Sequence, residues 1–289
     1  MNRILVTGAR GQLGMELQTH QKRLKGTEFY FYDIEELDIC NKIEVENTIN
    51  KIKPDLLINC AAYTAVDRAE ENADNAYAVN AVAVRNIVNA ASGITGMKLI
   101  HISTDFVFDG KNNSPYNEDD SPNPQSVYGI SKLQGEKYAL TYPHTMIIRT
   151  SWLYSEYGSN FVKTILRLAG ENEEINVIND QRGTPTWTTD LASSVLNIWS
   201  QIFYEKKKFI PGIYHYSNEG SCSWYEFACE IARIAELNIK INPVSTTEFP
   251  LPAKRPPYSV LGLDKIKNTY DIKIPSWQES LEIFLNRYK

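Results

Sequence analysis

Ile4-Leu-Val-Thr-Gly8-Ala-Arg10-Gly11-Gln12-Leu13-Gly14 is the stretch that decides the fold of this 289-residue chain. An apolar run leads through Gly-x-x-Gly-x-x-Gly into a segment with helical spacing. A strand-to-helix turn that holds a pyrophosphate needs these glycines, because the turn is tight and its backbone approaches the phosphates. Helix N-terminal amides then face the phosphates. We favour a dinucleotide-binding turn over a plain strand-to-helix turn, because the three glycines stand at the start of an alternation of apolar runs and helical segments. The predicted dinucleotide contacts are Gly8, Arg10, Gly11, Gln12, Leu13 and Gly14.

Short apolar runs alternate with helical patterns along the first half of the chain. The runs are 4–7, 28–32, 56–59, 98–102 and 145–149, and helical spacing is found at 76–90, 160–169, 188–203, 223–236 and 276–287. Such alternation predicts right-handed crossovers and a parallel sheet covered on both faces. The predicted fold class is α/β, a Rossmann-type doubly wound parallel sheet with a smaller C-terminal α/β substrate domain. We expect the dinucleotide-binding domain in 1–150, joined by a helix and strand around 186–216, and a mostly substrate-binding domain in 151–289.

The overall composition argues against two classes of partner. The chain has 30 Lys and Arg against 35 Asp and Glu residues, a net charge of −5, whereas nucleic-acid and anionic-membrane surfaces need a basic excess. No apolar run approaches the length of a membrane span, and the first residues do not resemble a signal peptide. The cysteines form no CxxC pair, which predicts a reducing, cytoplasmic location. They are Cys40, Cys60, Cys222 and Cys229.

Two residues bear on the choice between NADH and NADPH. Asp33 ends the second apolar run, where an acidic residue accepts hydrogen bonds from the adenosine ribose and repels a 2′-phosphate. Arg10, inside the glycine loop, could instead pair with that phosphate. The two side chains favour opposite cofactors, so the sequence leaves the choice open.

Tyr128-Gly-Ile-Ser-Lys132 carries the chemistry. Residues four apart lie on one face of a helix, and an ammonium beside a phenol should lower the phenol's pKa from its usual value of about 10. The same spacing is common on exposed helices, so the pair of Tyr128 and Lys132 alone does not establish a catalytic function. Thr104 follows the fourth run, at a strand end where ligands bind in such folds, and could polarise a carbonyl, although Ser-Thr-Asp is also typical of turns. The three residues together predict transfer of hydride and proton.

The ordered set of glycine loop, Ser-Thr at a strand end and Tyr-x-x-x-Lys resembles the extended short-chain dehydrogenase/reductase family. Residues 59–67 resemble its loop after the third strand, beside the cofactor's riboses. Asn80 resembles its structural asparagine. The resemblance implies further cofactor contacts, with Tyr128 and Lys132 among them. They are Ala61, Ala62 and Tyr63 from that loop, and Asp38 and Ile39 at the adenine.

Within the family the chain is most similar to reductases of dTDP-linked deoxyhexoses. The segments that carry this similarity are Ser103-Thr-Asp-Phe-Val-Phe-Asp-Gly110, Arg149-Thr-Ser-Trp-Leu-Tyr154, Asn160-Phe-Val-Lys163, Ile178-Asn-Asp-Gln-Arg-Gly-Thr-Pro185 and Arg255-Pro-Pro-Tyr-Ser259. The similarity implies reduction of the C4 ketone of dTDP-4-dehydro-L-rhamnose to dTDP-L-rhamnose by NADPH or NADH.

The same similarity implies a role for each residue of the site. Tyr128 would be the proton donor, Lys132 would tune it and bind the nicotinamide ribose, and Thr104 would contact the ketone. The remaining residues would bind the substrate. Asp105 and Trp152 would line the sugar pocket, and Arg182 and Arg255 would meet the diphosphate, which suits guanidinium forks.

Some family members bind magnesium through carboxylates near a dimer contact. Glu16 matches one such position, but residues 285–289 contain no carboxylate. We therefore expect no metal site, and any Mg²⁺ to be non-catalytic; a homodimer stays open. Two other functions stay open as well, a nucleotide-sugar epimerase or dehydratase on the same fold and a non-catalytic, reductase-like regulatory subunit. Against a dehydratase, Phe106 stands where a second acid would follow Asp105.

Overall fold

The computed structural model describes residues 2–288. The strands are β1 (Asn2–Thr7), β2 (Thr27–Tyr32), β3 (Leu56–Asn59), β4 (Lys98–Thr104), β5 (Thr145–Thr150), β6 (Leu153–Tyr154), β7 (Glu174–Ile178), β8 (Arg182–Gly183), β9 (Thr186–Trp187), β10 (Gly212–His215), β11 (Cys222–Ser223) and β12 (Lys240–Val244). The α-helices are α1 (Gln12–His20), α2 (Lys42–Ile52), α3 (Val66–Glu71), α4 (Ala73–Tyr77), α5 (Ala83–Ala91), α6 (Val127–Ala139), α7 (Phe161–Glu171), α8 (Thr188–Phe203), α9 (Trp224–Ile234), α10 (Asp264–Tyr270) and α11 (Trp277–Tyr288). Within 2–288, no helix is long and apolar enough to cross a membrane.

Six strands form one parallel sheet in the order β10-β5-β4-β3-β1-β2. The chain order reverses at β1, which lies between β2 and β3. In open sheets of this kind, ligands bind in the crevice outside the carboxyl ends of the strands at the reversal. The predicted doubly wound parallel sheet is therefore confirmed, and the glycine loop after β1 lies at its reversal point.

Alternate residues of each strand pack on opposite faces of the sheet. Ile4 and Val6 contribute to one apolar core with α1 and α8. Leu5, Leu57 and Leu99 contribute to a second core with α2 and α5. All five side chains are buried, and burial on both faces explains why these strands read as continuous apolar runs.

The second half of the chain forms a separate apolar cluster. Helices α7, α9 and α11 pack there around aromatic side chains that include Tyr154, Phe227 and Phe284. Three short strand pairs border it, β7 with β12, β8 with β11, and β6 with β9. Helix α8 instead packs on α1, and β10 joins the large sheet beside β5.

The helix predicted at 76–90 is interrupted by a π-helical turn, Ala78–Val82, between α4 and α5. Asn80 lies in this turn and is buried. Its side chain accepts a hydrogen bond from the Tyr63 amide at 2.8 Å and donates to the Ser131 hydroxyl at 3.0 Å. The π-helical turn thus links the loop after β3 to α6. Such π-bulges are frequent at functional sites.

Gly135 allows α6 to lie against the π-helical turn. A methyl group on residue 135 would collide with the carbonyl oxygen of Asn80. We expect Gly135→Ala to lower the free energy of unfolding by about 1–3 kcal/mol, as overpacking usually does. Urea denaturation would measure the loss.

Gly170→Ala in α7 is the matched control, since a methyl group there meets no atom within 4 Å. Its free energy of unfolding should stay within about 1 kcal/mol of the parent or rise, because alanine is the better helix former. Equal effects of the two substitutions would contradict the packing explanation.

Candidate active site

The glycine loop is held tightly against the loop that follows β3. Gly8 has a left-handed φ of 69°, and a methyl group on it would lie 2.5 Å from the Ala61 amide nitrogen. A methyl group on Gly14 would collide with the Gly8 carbonyl oxygen. Gly11 is the N-cap of α1 and has no side chain to cap the first amides of the helix. These contacts leave the amides of the first turn suited to a phosphate.

The other predicted cofactor residues fall into two groups. Asp33 accepts a hydrogen bond from the Arg10 amide at 2.7 Å, and Asp38 accepts one from the Cys40 amide at 2.9 Å. Both residues are partly exposed. Leu13 and Ile39, in contrast, bury their side chains in the two apolar cores. Any contact of these two residues with a dinucleotide would come mainly from their backbone atoms.

Thr104, Asp105 and Tyr128 meet at the carboxyl end of β4. Thr104 ends that strand, and its hydroxyl donates to Asp105 Oδ1 at 3.1 Å; it also lies close enough to the Tyr128 phenol to lower the pKa of that phenol. Tyr128 lies in the first turn of α6, capped by the Ser126 side chain, and its ring packs edge-on against Phe106. The structure therefore brings together the predicted polarising hydroxyl and the predicted proton donor.

The pKa of the phenol moves in the opposite direction to the one predicted. Burial raises the pKa of Tyr128 to about 12; Thr104 lowers it and the Asp105 carboxylate raises it further. Lys132 takes no part in this shift, and its ammonium donates to the Ile102 carbonyl oxygen at 2.6 Å. Burial lowers the pKa of Lys132 to about 8, and the Glu136 carboxylate partly offsets this effect by raising it. The phenol consequently carries its proton at neutral pH.

Asp105 is linked to the C-terminal half of the chain by Ser259, which the sequence did not single out. Burial raises the pKa of the Asp105 carboxyl to about 6, and the neighbouring Ser259 hydroxyl partly offsets this by lowering it. The Ser259 amide donates to the Arg182 carbonyl oxygen at 2.8 Å. In the sequence, only its place in the segment Arg255-Pro-Pro-Tyr-Ser259 could have indicated this serine, because a single Ser does not form a recognisable motif.

Trp152 has a left-handed φ of 48° and stacks on Trp224, with ring centroids 3.5 Å apart and an interplanar angle of 8°. Gly183 lies against the same indole, where a methyl group would come within 2.6 Å of the ring. One face of the Trp152 indole is therefore covered by Trp224, a residue that the sequence analysis missed. In this conformation, only its other face or its edge could meet a sugar.

Both arginines predicted to meet a diphosphate have carboxylate partners. Arg255 makes two hydrogen bonds to Asp67, of 2.7 and 3.0 Å, and these bonds, with its charge, lower the pKa of that carboxyl. Arg182 bonds Glu226 at 3.1 Å and the Ser221 hydroxyl at 3.2 Å. A diphosphate would have to exchange with these partners or share the guanidinium groups with them.

A buried ion pair lies behind Lys132. Arg149 donates to both carboxylate oxygens of Glu136, at 2.9 and 2.7 Å, and Ser103 donates to the same carboxylate at 2.5 Å. Glu136 and Arg149 are each about 1% exposed. This pair was not predicted from the sequence, although a charged residue, Arg149, ends the apolar run 145–149 and could have indicated it.

The surroundings of Glu16 do not fit a magnesium ion. Its buried carboxylate lies 3.6 Å from His20 Nε2; burial raises its pKa, the Glu156 and Asp190 carboxylates raise it further, and the Arg287 guanidinium lowers it. Mg²⁺ prefers oxygen ligands in octahedral geometry, and a guanidinium opposes any cation. Over residues 2–288, no group of three His, Cys, Asp or Glu side chains is arranged to hold a metal.

Comparisons with known proteins point to a single family. The RmlD substrate binding domain model matches residues 1–289. A dTDP-4-dehydrorhamnose reductase from Sinorhizobium fredii is 40% identical and covers 96% of this chain and 95% of its own. A crystal structure of a dTDP-4-dehydrorhamnose reductase from Clostridium acetobutylicum is 44% identical, with a TM-score of 0.91 and 99% of both chains covered. Another, from Bacillus anthracis in complex with NADP, is 41% identical, with a TM-score of 0.92 and coverage of 99% and 100%.

Proposed function

The chain belongs to the RmlD substrate binding domain family, and from this premise we propose that it reduces the C4 ketone of dTDP-4-dehydro-L-rhamnose, giving dTDP-L-rhamnose. It is an oxidoreductase that uses a nicotinamide cofactor. The observation that carries the proposal is that Thr104 and Tyr128 lie side by side at the carboxyl end of β4. This group lies on the same sheet edge as the glycine loop, which follows β1.

The reduction adds a hydride to the carbonyl carbon and a proton to the carbonyl oxygen. The nicotinamide supplies the hydride when bound. Thr104 polarises the ketone by turning its hydroxyl proton from Asp105 to the ketone oxygen, and the Tyr128 phenol, protonated at neutral pH, delivers the proton. We assign Lys132, whose ammonium donates to the Ile102 carbonyl oxygen, to the nicotinamide ribose when the cofactor is bound.

The remaining residues of the site bind rather than react. We assign Asp105 and the uncovered part of Trp152 to the sugar, and Arg182 and Arg255 to the diphosphate. Because each guanidinium already has a carboxylate partner, substrate binding changes those ion pairs. Buried Asp105 lies beside both Thr104 and Ser259, which orient its carboxylate.

Incubating the chain with dTDP-4-dehydro-L-rhamnose and reduced cofactor tests the proposal. We expect the near-ultraviolet absorbance of the reduced nicotinamide to fall in a one-to-one ratio with the hydroxyl product, identified by mass and NMR. An epimerase or dehydratase regenerates its cofactor, so product without net oxidation would support that alternative. Cofactor binding without turnover would instead indicate a regulatory subunit.

A further inference from the structure

Trp152, which we assign to the sugar, is held between two neighbours. Trp224 stacks on one face of its indole, with ring centroids 3.5 Å apart and an interplanar angle of 8°. A methyl group on Gly183 would lie 2.6, 2.7 and 2.8 Å from three bonded ring atoms, Cε2, Cζ2 and Nε1. Such similar distances place Gly183 above the ring plane rather than beyond the ring edge. Because Trp224 covers one face, Gly183 lies against the opposite face, and the indole is clamped between them.

One pair of short strands builds both sides of this clamp. Strands β8 and β11 run antiparallel, with Gly183 opposite Cys222. Trp224 follows β11 directly as the first residue of α9, and its ring also packs against Phe161, with centroids 4.6 Å apart. The position of the indole is therefore set by the backbone of β8 and by the first turn of α9.

The start of α9 is itself fixed by a capping box. The Ser223 hydroxyl accepts a hydrogen bond from the Glu226 amide at 3.0 Å, and the Glu226 carboxylate accepts one from the Ser223 amide at 2.7 Å. Glu226 also pairs with Arg182, at 3.1 Å, which we assign to the diphosphate. The first turn of α9 thus supports the aromatic wall of the sugar pocket and the arginine beside it.

The backbone of Trp152 indicates that this clamp acts on the site. Its φ of 48° lies in the left-handed region, which bulky residues rarely adopt. Such conformations persist only where the surroundings hold them, and they cluster at ligand sites. Trp152 is nevertheless partly exposed, so burial alone does not fix its ring. The stacked Trp224 ring and the close approach of Gly183 supply the missing constraint.

We propose that Trp224 is a positioning residue for the reaction, which with Gly183 clamps the Trp152 indole as a fixed wall of the sugar pocket. Trp224 acts through Trp152 and not by reacting itself. The inference rests on the proposed reductase function, since this wall belongs to the same substrate site. A wall that is already in place needs no ordering when the sugar binds, so the clamp should contribute to substrate affinity rather than to the chemical step.

Steady-state kinetics with dTDP-4-dehydro-L-rhamnose test the inference. Trp224→Leu should raise KM by about five- to tenfold and leave kcat within about twofold, because it removes the stacked ring and no reacting group. Trp224→Phe keeps an aromatic ring in the stack and should hold KM within about threefold of the parent. Gly183→Ala pushes the indole from its opposite face, and it should raise KM as Trp224→Leu does.

Nuclear magnetic resonance of the ¹⁵N-tryptophan-labelled chain follows the wall without turnover. The Nε1–H signal of Trp152 lies in the ring current of Trp224, so it should move in Trp224→Leu and on addition of dTDP-L-rhamnose to the parent. Phe203→Leu is the matched control, since Phe203 stacks on Trp199 in α8, with centroids 6.0 Å apart. This substitution should leave KM, kcat and the Trp152 signal unchanged.

The outcomes separate this inference from the function on which it rests. A parental KM in Trp224→Leu would overturn the inference, and so would a fall in kcat at unchanged KM, while turnover by the parent chain would leave the reductase function intact. An equal rise of KM in Trp224→Phe and Trp224→Leu would also contradict it, because the ring in the stack would then not matter. Absence of turnover in the parent chain would contradict the proposed function and the inference with it.

Discussion

Tyr128→Phe should lower kcat by about 10²–10⁴-fold, the usual contribution of a positioned general acid. The phenol is buried beside Thr104 and retains its proton at neutral pH, so it is the group equipped to protonate the reduced ketone. Phenylalanine keeps the ring and its edge contact with Phe106, and therefore keeps the fold. Single-turnover rates and the affinity for the reduced cofactor should be measured together, and the affinity should change by less than about threefold.

Tyr138→Phe provides the control for this substitution. Tyr138 lies on the same helix, α6, with its ring beneath the Arg85 guanidinium at 5.5 Å. Loss of its hydroxyl should leave kcat within about twofold of the parent, since surface changes away from the reacting atoms have small effects. A Tyr128→Phe variant that turned over at the parental rate would exclude the phenol as proton donor.

The local pattern of the sequence predicted most of the fold. Helix α8 has the bounds predicted for it, Thr188–Phe203, because its apolar spacing is regular over four turns. The π-helical turn at Ala78–Val82 was not predicted. It depends on hydrogen bonds that Asn80 makes to Tyr63 and Ser131, both distant in sequence. Contacts of this kind have no local periodicity, so spacing alone could not reveal them.

The sequence predicted those residues of the site that belong to a recognisable motif. Thr104 and Tyr128 each follow from a motif at a strand or helix end, and the structure joins them. Ser259 and Trp224 reach the site only through tertiary packing, and no motif singles them out. The direction of the Tyr128 pKa also depends on burial, which the spacing to Lys132 does not report. The folded structure, and not local sequence spacing, determines which charged side chains pair and which groups are buried.

Arg149→Met should lower the free energy of unfolding by about 3–5 kcal/mol, the usual cost of removing one partner of a buried ion pair. The substitution leaves the Glu136 carboxylate buried with Ser103 as its remaining side-chain donor. Urea denaturation followed by circular dichroism would measure the loss. Arg167→Met, which breaks an exposed pair with Glu171 on α7, should cost no more than about 1 kcal/mol. A similar loss of stability in both variants would show that burial does not determine the cost of breaking these ion pairs.

The double variant Glu136→Met/Arg149→Met separates stability from chemistry. Replacing both charges by apolar side chains of similar size is often neutral, so most of the lost stability should return. The Glu136 carboxylate, however, helps Lys132 to keep its proton against burial, which holds the pKa of that ammonium near 8. Without the carboxylate this pKa falls, and the alkaline decline of kcat should move to lower pH. A parental pH profile in a stable double variant would show that the pair serves the fold alone.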